Sequence, residues 1–104
     1  MTPSLRMILG AAWTAILALA ALAAPIPERT ADAGWQAYQR GDYPSALAAY
    51  EAAARNGDRL AQFNLGVMLL RGEGKPADLN SGIAWLTKAA DAGMVQAQYN
   101  LGLL

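Results

Sequence analysis

The sequence predicts an all-α protein in which antiparallel helix pairs stack into an α-solenoid. The main observation is a repeated hexapeptide: residues 61–66 are A-Q-F-N-L-G, and residues 97–102, 36 positions later, are A-Q-Y-N-L-G. In addition, apolar residues recur at three- and four-residue steps between regularly placed Asp and Gly residues. Repeats with a period of about 20–50 residues stack on one another to bury their apolar faces, and they usually present a binding surface instead of an active site.

The first 23 residues have the pattern of an export signal. Arg6 provides a minimal positive region, residues 7–22 are almost wholly apolar, and small alanine side chains precede the bond after Ala23. We therefore predict an N-terminal signal helix over residues 1–23. Cleavage after Ala23 would give a periplasmic or secreted mature protein.

Residues 24–30 contain two prolines and few apolar groups, which indicates a linker. The alternative to cleavage is a membrane anchor, because residues 7–26 are barely long enough to span about 30 Å of hydrocarbon at about 1.5 Å per residue. Pro25 and Pro27 follow in place of a stop-transfer run, so the sequence favours cleavage. A membrane is a partner only if this segment stays uncleaved.

The charge and composition narrow the classes of function. Eight basic and eight acidic residues give the chain a formal net charge of zero, and loss of Arg6 with the signal leaves seven against eight, a net charge of −1. A basic surface for nucleic acid is therefore not expected. The sequence has no Cys and no His, so it cannot form Cys–His or Ser–His catalytic pairs, and only carboxylates could hold zinc. We predict no catalytic residue, no metal site and no cofactor.

The first two helices have clear start and stop signals. Asp32 is the predicted cap of the first helix, and Gly41 ends it as a residue that tolerates positive φ. Asp42 is the predicted cap of the second helix, with Pro44 in the first turn, where its missing N–H costs nothing. Gly57 ends that helix.

Three further helices follow in the same way. Asp58 caps a third helix that is apolar on more than one face, so we expect it to lie between neighbours, and Gly72 ends it. Asp78 caps a fourth helix that ends at Gly93, and a fifth begins near Met94. Each of these Asp residues directly precedes a predicted helix, so capping explains them better than metal binding or acid–base catalysis does.

Short connections between these helices force antiparallel neighbours. The repeat domain is expected over residues 31–104, in units of about 31–57, 58–93 and a truncated 94–104. A glycine inside a helix costs about 1 kcal/mol relative to alanine. The recurrence of Gly66 and Gly102 at the same position of two repeats therefore predicts close helix packing at both.

One group of residues carries a family resemblance: A-Q-F-N-L-G at 61–66, G-E-G-K-P at 72–76 with Asp78, Trp85, K-A-A at 88–90, and Gly93. This pattern resembles one complete Sel-one-like repeat (SLR), a relative of the tetratricopeptide repeat (TPR). Residues 94–104 are similar to the first helix of a second SLR, and residues 34–53 to a TPR unit. Gly82 departs from the alanine that the family usually has there. The resemblance implies a right-handed solenoid.

The resemblance also implies a concave groove lined by the first helix of each pair. The residues at the corresponding positions, which we predict to bind a partner, are Trp35, Tyr38, Gln39, Phe63, Asn64, Val67, Leu70, Arg71, Tyr99 and Asn100. Asn64 and Asn100 match a position where the related family often uses an amide to bind a peptide backbone. The alternatives are that both asparagines brace neighbouring helices and that the large aromatic residues belong to the core.

These expectations favour an exported helical-repeat scaffold that binds a protein or peptide through its concave face and the open end of its array. Residues 100–104 offer an apolar face where arrays usually have a polar cap, which suggests a fragment of a longer array or a partner at that edge. The edge could also self-associate.

Two alternatives remain for the function. A cell-envelope enzyme or accessory of hydrolase or β-lactamase type is disfavoured, because that branch of the family is typically cysteine-rich and Ser81 is not in an S-x-x-K arrangement. The other is a membrane-tethered scaffold in polysaccharide or envelope assembly.

Overall fold

The computed structural model describes residues 32–104, which form five α-helices and no strand. Residues 1–31, with the predicted signal helix and linker, lie outside the described residues. The helices are α1 (Ala33–Gln39), α2 (Tyr43–Arg55), α3 (Arg59–Arg71), α4 (Leu79–Asp91) and α5 (Val95–Leu103). The described part of the chain is therefore all-helical, as the sequence predicts.

Aspartate side chains begin the first four helices. Each carboxylate accepts hydrogen bonds from backbone N–H groups two or three residues later, which satisfies donors that have no partner inside the helix. Hydrogen bonds from Ser45 and Ser81 lower the pKa of Asp42 and Asp78, respectively. The caps are Asp32, Asp42, Asp58 and Asp78, as predicted. α5 begins after Met94 without a side-chain cap.

Contacts between helix ends show that paired helices run in opposite directions. Gly34, near the start of α1, lies against Tyr50, in the second half of α2. At the start of α3, Arg59 Nη1 donates a hydrogen bond of 2.9 Å to the carbonyl of Ala92, just after the end of α4. The glycines that end the helices make the reversals possible; Gly72, for example, has a φ of 73°.

α3 lies between two apolar cores and is buried on opposite faces, as its sequence predicts. One face joins the core formed with α1 and α2: Ala61, Leu65, Met68 and Leu69. The other joins the core formed with α4 and α5: Leu60, Phe63, Val67 and Leu70. Each apolar side chain that leaves water contributes roughly 1.5–3 kcal/mol, so this two-sided burial is a main source of stability.

The crossing of α3 and α4 is close because two glycines face each other there. A Cβ atom on Gly66 would lie 2.9 Å from Leu86 Cγ and 3.0 Å from the carbonyl oxygen of Gly82. A Cβ atom on Gly82 would lie 2.8 Å from Leu70 Cδ2 and 3.0 Å from the carbonyl oxygen of Gly66. The departure from the family's usual alanine at Gly82 thus permits this contact.

Gly102 differs from Gly66, although the two occupy the same position of successive repeats. Apart from the adjacent residues and backbone of its own helix, no atom of the described residues lies within 4 Å of a Cβ built on Gly102. The expectation of close packing at Gly102 is therefore wrong for residues 32–104. The reason is that no helix lies beyond α5 in the described structure to play the part that α4 plays for α3.

Tyr50 is a large buried polar residue in the first core. Its side chain is 2% exposed, and its hydroxyl lacks a hydrogen bond of good geometry. Burial raises the pKa of Tyr50 to about 12; the negative charge of Asp32 adds to the increase, and the nearby Asn64 amide opposes it. The folded chain therefore retains the Tyr50 proton at a pH where the unfolded chain has lost it.

Gly66→Leu is expected to destabilise the fold. The new side chain would overlap the backbone of Gly82, and overpacking of a core typically costs about 1–3 kcal/mol. For a domain of this size, each kcal/mol lowers the melting temperature by about 4–8 °C. Thermal melts followed by circular dichroism test this. Gly102→Leu is the matched control and should not lower the melting temperature; an equal melt for both variants would refute the close crossing.

Tyr50→Phe is expected to change the pH dependence of stability. Because the pKa of Tyr50 is higher in the folded chain, this residue stabilises the fold below its unfolded-state pKa of 10.0. The stabilisation is lost as the pH rises towards the folded-state pKa of about 12. The wild-type chain should lose roughly 2–3 kcal/mol from Tyr50 over this range, at about 1.4 kcal/mol per pKa unit. Urea denaturation between pH 8 and pH 12 should show a smaller loss for the variant.

The exposed Tyr99 supplies the control for this measurement, because Tyr99→Phe removes a hydroxyl without changing a buried group. At pH 7 Tyr50→Phe should be at least as stable as Tyr99→Phe, since the buried Tyr50 hydroxyl makes no well-formed hydrogen bond that the change could remove. Identical alkaline loss in wild type and Tyr50→Phe would contradict the proposed role of Tyr50.

Candidate binding surface

The ten residues predicted to bind a partner fall into two groups in the structure. Five are buried within the chain itself: Phe63, Asn64, Val67, Leu70 and Asn100. Five are half-buried or exposed: Trp35, Tyr38, Gln39, Arg71 and Tyr99. In this arrangement a partner could contact only the second group directly. Three of the buried residues, Phe63, Val67 and Leu70, instead fill the core between α3, α4 and α5.

The two asparagines lie inside the helix stack. Asn64 is fully buried and Asn100 is 2% exposed, although both are polar. Both side chains have interactions with the surrounding chain, and Asn64 lies near the Tyr50 hydroxyl. Their burial favours the alternative in which these amides brace neighbouring helices, because a buried amide needs partners within the fold.

Aromatic side chains of α1 form a layer that continues to the start of α2. The rings of Trp35 and Tyr38 are stacked, with centroids 5.9 Å apart and planes 12° apart. The ring of Tyr43 lies 4.9 Å from that of Tyr38. Trp35, Tyr38 and Tyr43 are all partly accessible to solvent, so they can pack against the fold and still contact a partner.

A polar contact joins this aromatic layer to the end of α3. The Tyr38 hydroxyl donates a hydrogen bond of 2.8 Å to Glu73 Oε2, and Arg71 Nε lies 3.5 Å from the same oxygen. The Arg71 and Glu73 side chains are 15% and 12% exposed, and Glu73 Oε1 is buried without a hydrogen bond in the described structure. Burial and the Glu73 carboxylate raise the pKa of Tyr38, so the hydroxyl stays protonated and acts as a donor.

We call this region the α1 patch: Trp35, Tyr38, Gln39, Arg71 and Glu73. It combines two aromatic rings, an exposed amide and a half-buried ion pair on one surface. Aromatic residues and arginine are the types most enriched where protein interfaces gain their binding energy. The patch can therefore offer apolar contact area together with hydrogen-bond donors and acceptors.

A second accessible surface lies at the end of the helix stack. The α5 side chains of Val95, Tyr99 and Leu103 are 70%, 65% and 44% exposed, and they recur every four residues along one side of the helix. α4, which packs against α5, leaves Leu79 60% exposed and Ile83 38% exposed. Large apolar side chains that are exposed together mark interaction sites more often than scattered ones do.

Two glutamines that the sequence reasoning did not single out connect successive helix pairs. Gln62 Nε2 donates a hydrogen bond of 3.2 Å to the carbonyl of Ala54 at the end of α2. Gln98 Nε2 makes the same 3.2 Å bond to the carbonyl of Ala90 in the last turn of α4. The repeated hexapeptide contained the signal, because Gln is its second residue in both copies.

A crevice of about 180 Å³ separates α2 from α4. Arg55 of α2, Lys75 of the connecting loop and Trp85 of α4 are among the residues that line it. Sites for drug-sized ligands usually measure roughly 300–1,000 Å³, so this crevice is small by comparison.

Within residues 32–104, no group of three or more Asp, Glu, His or Cys side chains is arranged to hold a metal ion. The helices of the same region are also too short or too polar to cross a bilayer.

Known proteins resemble parts of this chain. The family model described as "Sel1 repeat" matches residues 59–94 and 95–104. Two sel1-like repeat-containing proteins of Acanthamoeba polyphaga mimivirus are similar to it. One is 45% identical over 49 residues, which is 47% of this chain and 9% of that protein. The other is 46% identical over 39 residues, which is 38% of this chain and 7% of that protein.

An F-box protein of Arabidopsis thaliana is 36% identical over 72 residues, which is 69% of this chain and 20% of that protein. The chain thus spans a fifth or less of the length of these curated relatives. No solved structure matches the chain.

Proposed function

The chain is a Sel1 repeat protein, and from this we propose that it is an exported scaffold whose right-handed helical array binds another protein or a peptide. Sel1 repeats generally mediate protein–protein interaction, and the family is typically not enzymatic. The absence of Cys and His from the whole sequence also argues against the common nucleophilic mechanisms.

The observation that carries this proposal is the α1 patch. Stacked Trp35 and Tyr38 rings are partly accessible and are held in place by the hydrogen bond from Tyr38 to Glu73. Side chains held in one conformation lose little entropy on binding, which favours rigid docking of a partner. Gln39 adds an exposed amide that can both donate and accept hydrogen bonds with a peptide backbone.

Export is proposed from the sequence of residues 1–23 alone. A periplasmic or secreted location agrees with a chain that contains no Cys and so does not depend on the redox state of its compartment. A scaffold tethered by an uncleaved N-terminal segment would keep the same binding surface.

The partner-binding proposal predicts that the purified chain, immobilised and exposed to cell-envelope proteins, retains a defined partner. Trp35→Ala and Gln39→Ala should each weaken capture of that partner by about tenfold, because truncation of an interface anchor commonly costs about 1–2 kcal/mol. Ala52→Ser, an exposed change on α2, is the control and should have no effect. Equal capture by wild type and both α1-patch variants would show that the patch is not the binding surface.

The export proposal predicts a mature N-terminus at Ala24. Intact-mass spectrometry of the protein recovered from its native host should find the chain without residues 1–23. A mass that includes these residues, in a membrane fraction, would support the tethered form instead.

A further inference from the structure

The crevice between α2 and α4 lies in the middle of the helix stack. Both helices pack against α3, whose side chains contribute to the lining between them. On α2 the lining residues are Leu47, Glu51 and Arg55, which recur every four residues and so lie along one side of the helix. The walls and the base of the crevice are therefore all supplied by described residues.

A basic side chain lies at each end of the crevice. A Cβ atom on Gly74 would lie 3.3 Å from Leu47 Cβ, so the neighbouring Lys75 is at the Leu47 end. Arg55 is eight residues further along α2, about 12 Å away at about 1.5 Å per residue. Both basic side chains are exposed. The crevice thus has two cationic ends that a bound molecule can reach.

The section between these ends is lined mainly by apolar side chains. Leu65 and Leu69 of α3 form the base, and Trp85 of α4 forms part of one wall. Lys88 Nζ lies 5.5 Å from the centre of the Trp85 ring, which places a further positive charge beside the crevice. A volume of about 180 Å³ has room for a single side chain. It cannot take a helix, which with its side chains is about 10–12 Å across.

The two acidic side chains near the crevice already have partners. Glu51 Oε2 accepts a hydrogen bond of 2.9 Å from Arg55 Nη2. Asp78, which lies near Lys75, accepts a hydrogen bond from the backbone N–H of Ser81 as the cap of α4. The Arg55 and Glu51 side chains are 68% and 42% exposed, and exposed ion pairs contribute little to stability. A carboxylate from a ligand can therefore replace Glu51 as the partner of Arg55.

We infer that this crevice binds an extended acidic segment of a partner protein, with two carboxylates four residues apart and an apolar side chain midway between them. Side chains of an extended peptide alternate in direction, so residues i, i+2 and i+4 face the same way, and i and i+4 are about 13 Å apart. That spacing matches the two cationic ends, and the middle side chain then faces Leu65 and Leu69. The inference adds a second binding site to the proposed function and does not involve the α1 patch.

The lining favours a peptide over a phosphate polymer. A nucleic acid strand carries a phosphate about every 3.4 Å, so it would also place negative charge beside Glu51 and the leucines. The peptide leaves its middle position uncharged. Ser81 adds a hydroxyl to the wall, which can donate or accept a hydrogen bond with a peptide group.

The experiment uses a fluorescently labelled peptide with the central sequence E-S-V-S-E, titrated with the purified chain and followed by anisotropy. A second peptide, S-E-V-E-S, has the same composition and charge and is the matched control. Its two carboxylates are only about 7 Å apart and face away from the valine, so they cannot reach both ends of the crevice. The first peptide should bind saturably, and about tenfold more tightly than the second.

Variants of the chain test each part of the site. Lys75→Glu and Arg55→Glu should each weaken binding of E-S-V-S-E by about tenfold, because a like charge then faces each carboxylate. Arg40→Glu is the control: it changes the net charge equally at an exposed residue outside the crevice and should have little effect. Glu51→Gln should strengthen binding, because it releases Arg55 and removes a negative charge. All four residues are at least partly exposed, so the variants should fold, as circular dichroism verifies.

Four results would overturn the inference. The first is no binding at millimolar peptide, and the second is equal binding of the two peptides, which would mean attraction by net charge alone. The third is weaker binding to Glu51→Gln than to wild type. The fourth is a labelled single-stranded oligonucleotide that binds more tightly than E-S-V-S-E and loses affinity in Lys75→Glu, which would assign the crevice to a phosphate polymer. The α1-patch variants lie outside the crevice, so the proposed function is tested separately.

Discussion

The contact on which the rest of the fold depends is the crossing of α3 and α4 at Gly66 and Gly82. Each glycine inside a helix costs about 1 kcal/mol relative to alanine, so the pair costs about 2 kcal/mol in helix propensity. The close approach offsets this cost by burying Leu86 and Phe63 completely. Each of these side chains contributes roughly 1.5–3 kcal/mol when it leaves water. The net gain explains why two poor helix formers occupy the centre of the repeat.

This crossing makes α3 a helix that belongs to two cores. α2 covers one side and α4 with α5 covers the other, so burial of α3 requires a neighbour in both directions along the stack. The Gln62 and Gln98 bonds to preceding carbonyls repeat the same connection at each step of the stack. In the described structure α5 has a neighbour in only one direction, and the exposure of Tyr99 follows from that arrangement. In a repeat of this kind, each apolar side of a helix is a side on which a neighbouring helix packs.

The helices could be predicted from sequence because their signals are local. An Asp cap and a terminating Gly act within a few residues, and all four Asp caps form as expected. The site was harder to predict, since a residue on the first helix of a pair can face either the groove or the next repeat. The distance between successive helix pairs determines which of the two a side chain faces, and in this structure Phe63 and Asn64 are buried. The bond from Tyr38 to Glu73 joins residues 35 positions apart, which no local pattern could indicate.

The two accessible surfaces differ in the physical basis of recognition. The α1 patch contains the Arg71–Glu73 ion pair beside aromatic rings, so a partner there must match charge and hydrogen bonds as well as shape. Charge matching mainly gives selectivity and faster association, and salt weakens it. The exposed side chains at the end of the stack, Val95, Tyr99 and Leu103, lie on a helix that contains no charged residue. Contacts with the α1 patch should therefore depend on salt concentration, whereas contacts with the end of the stack should depend mainly on shape.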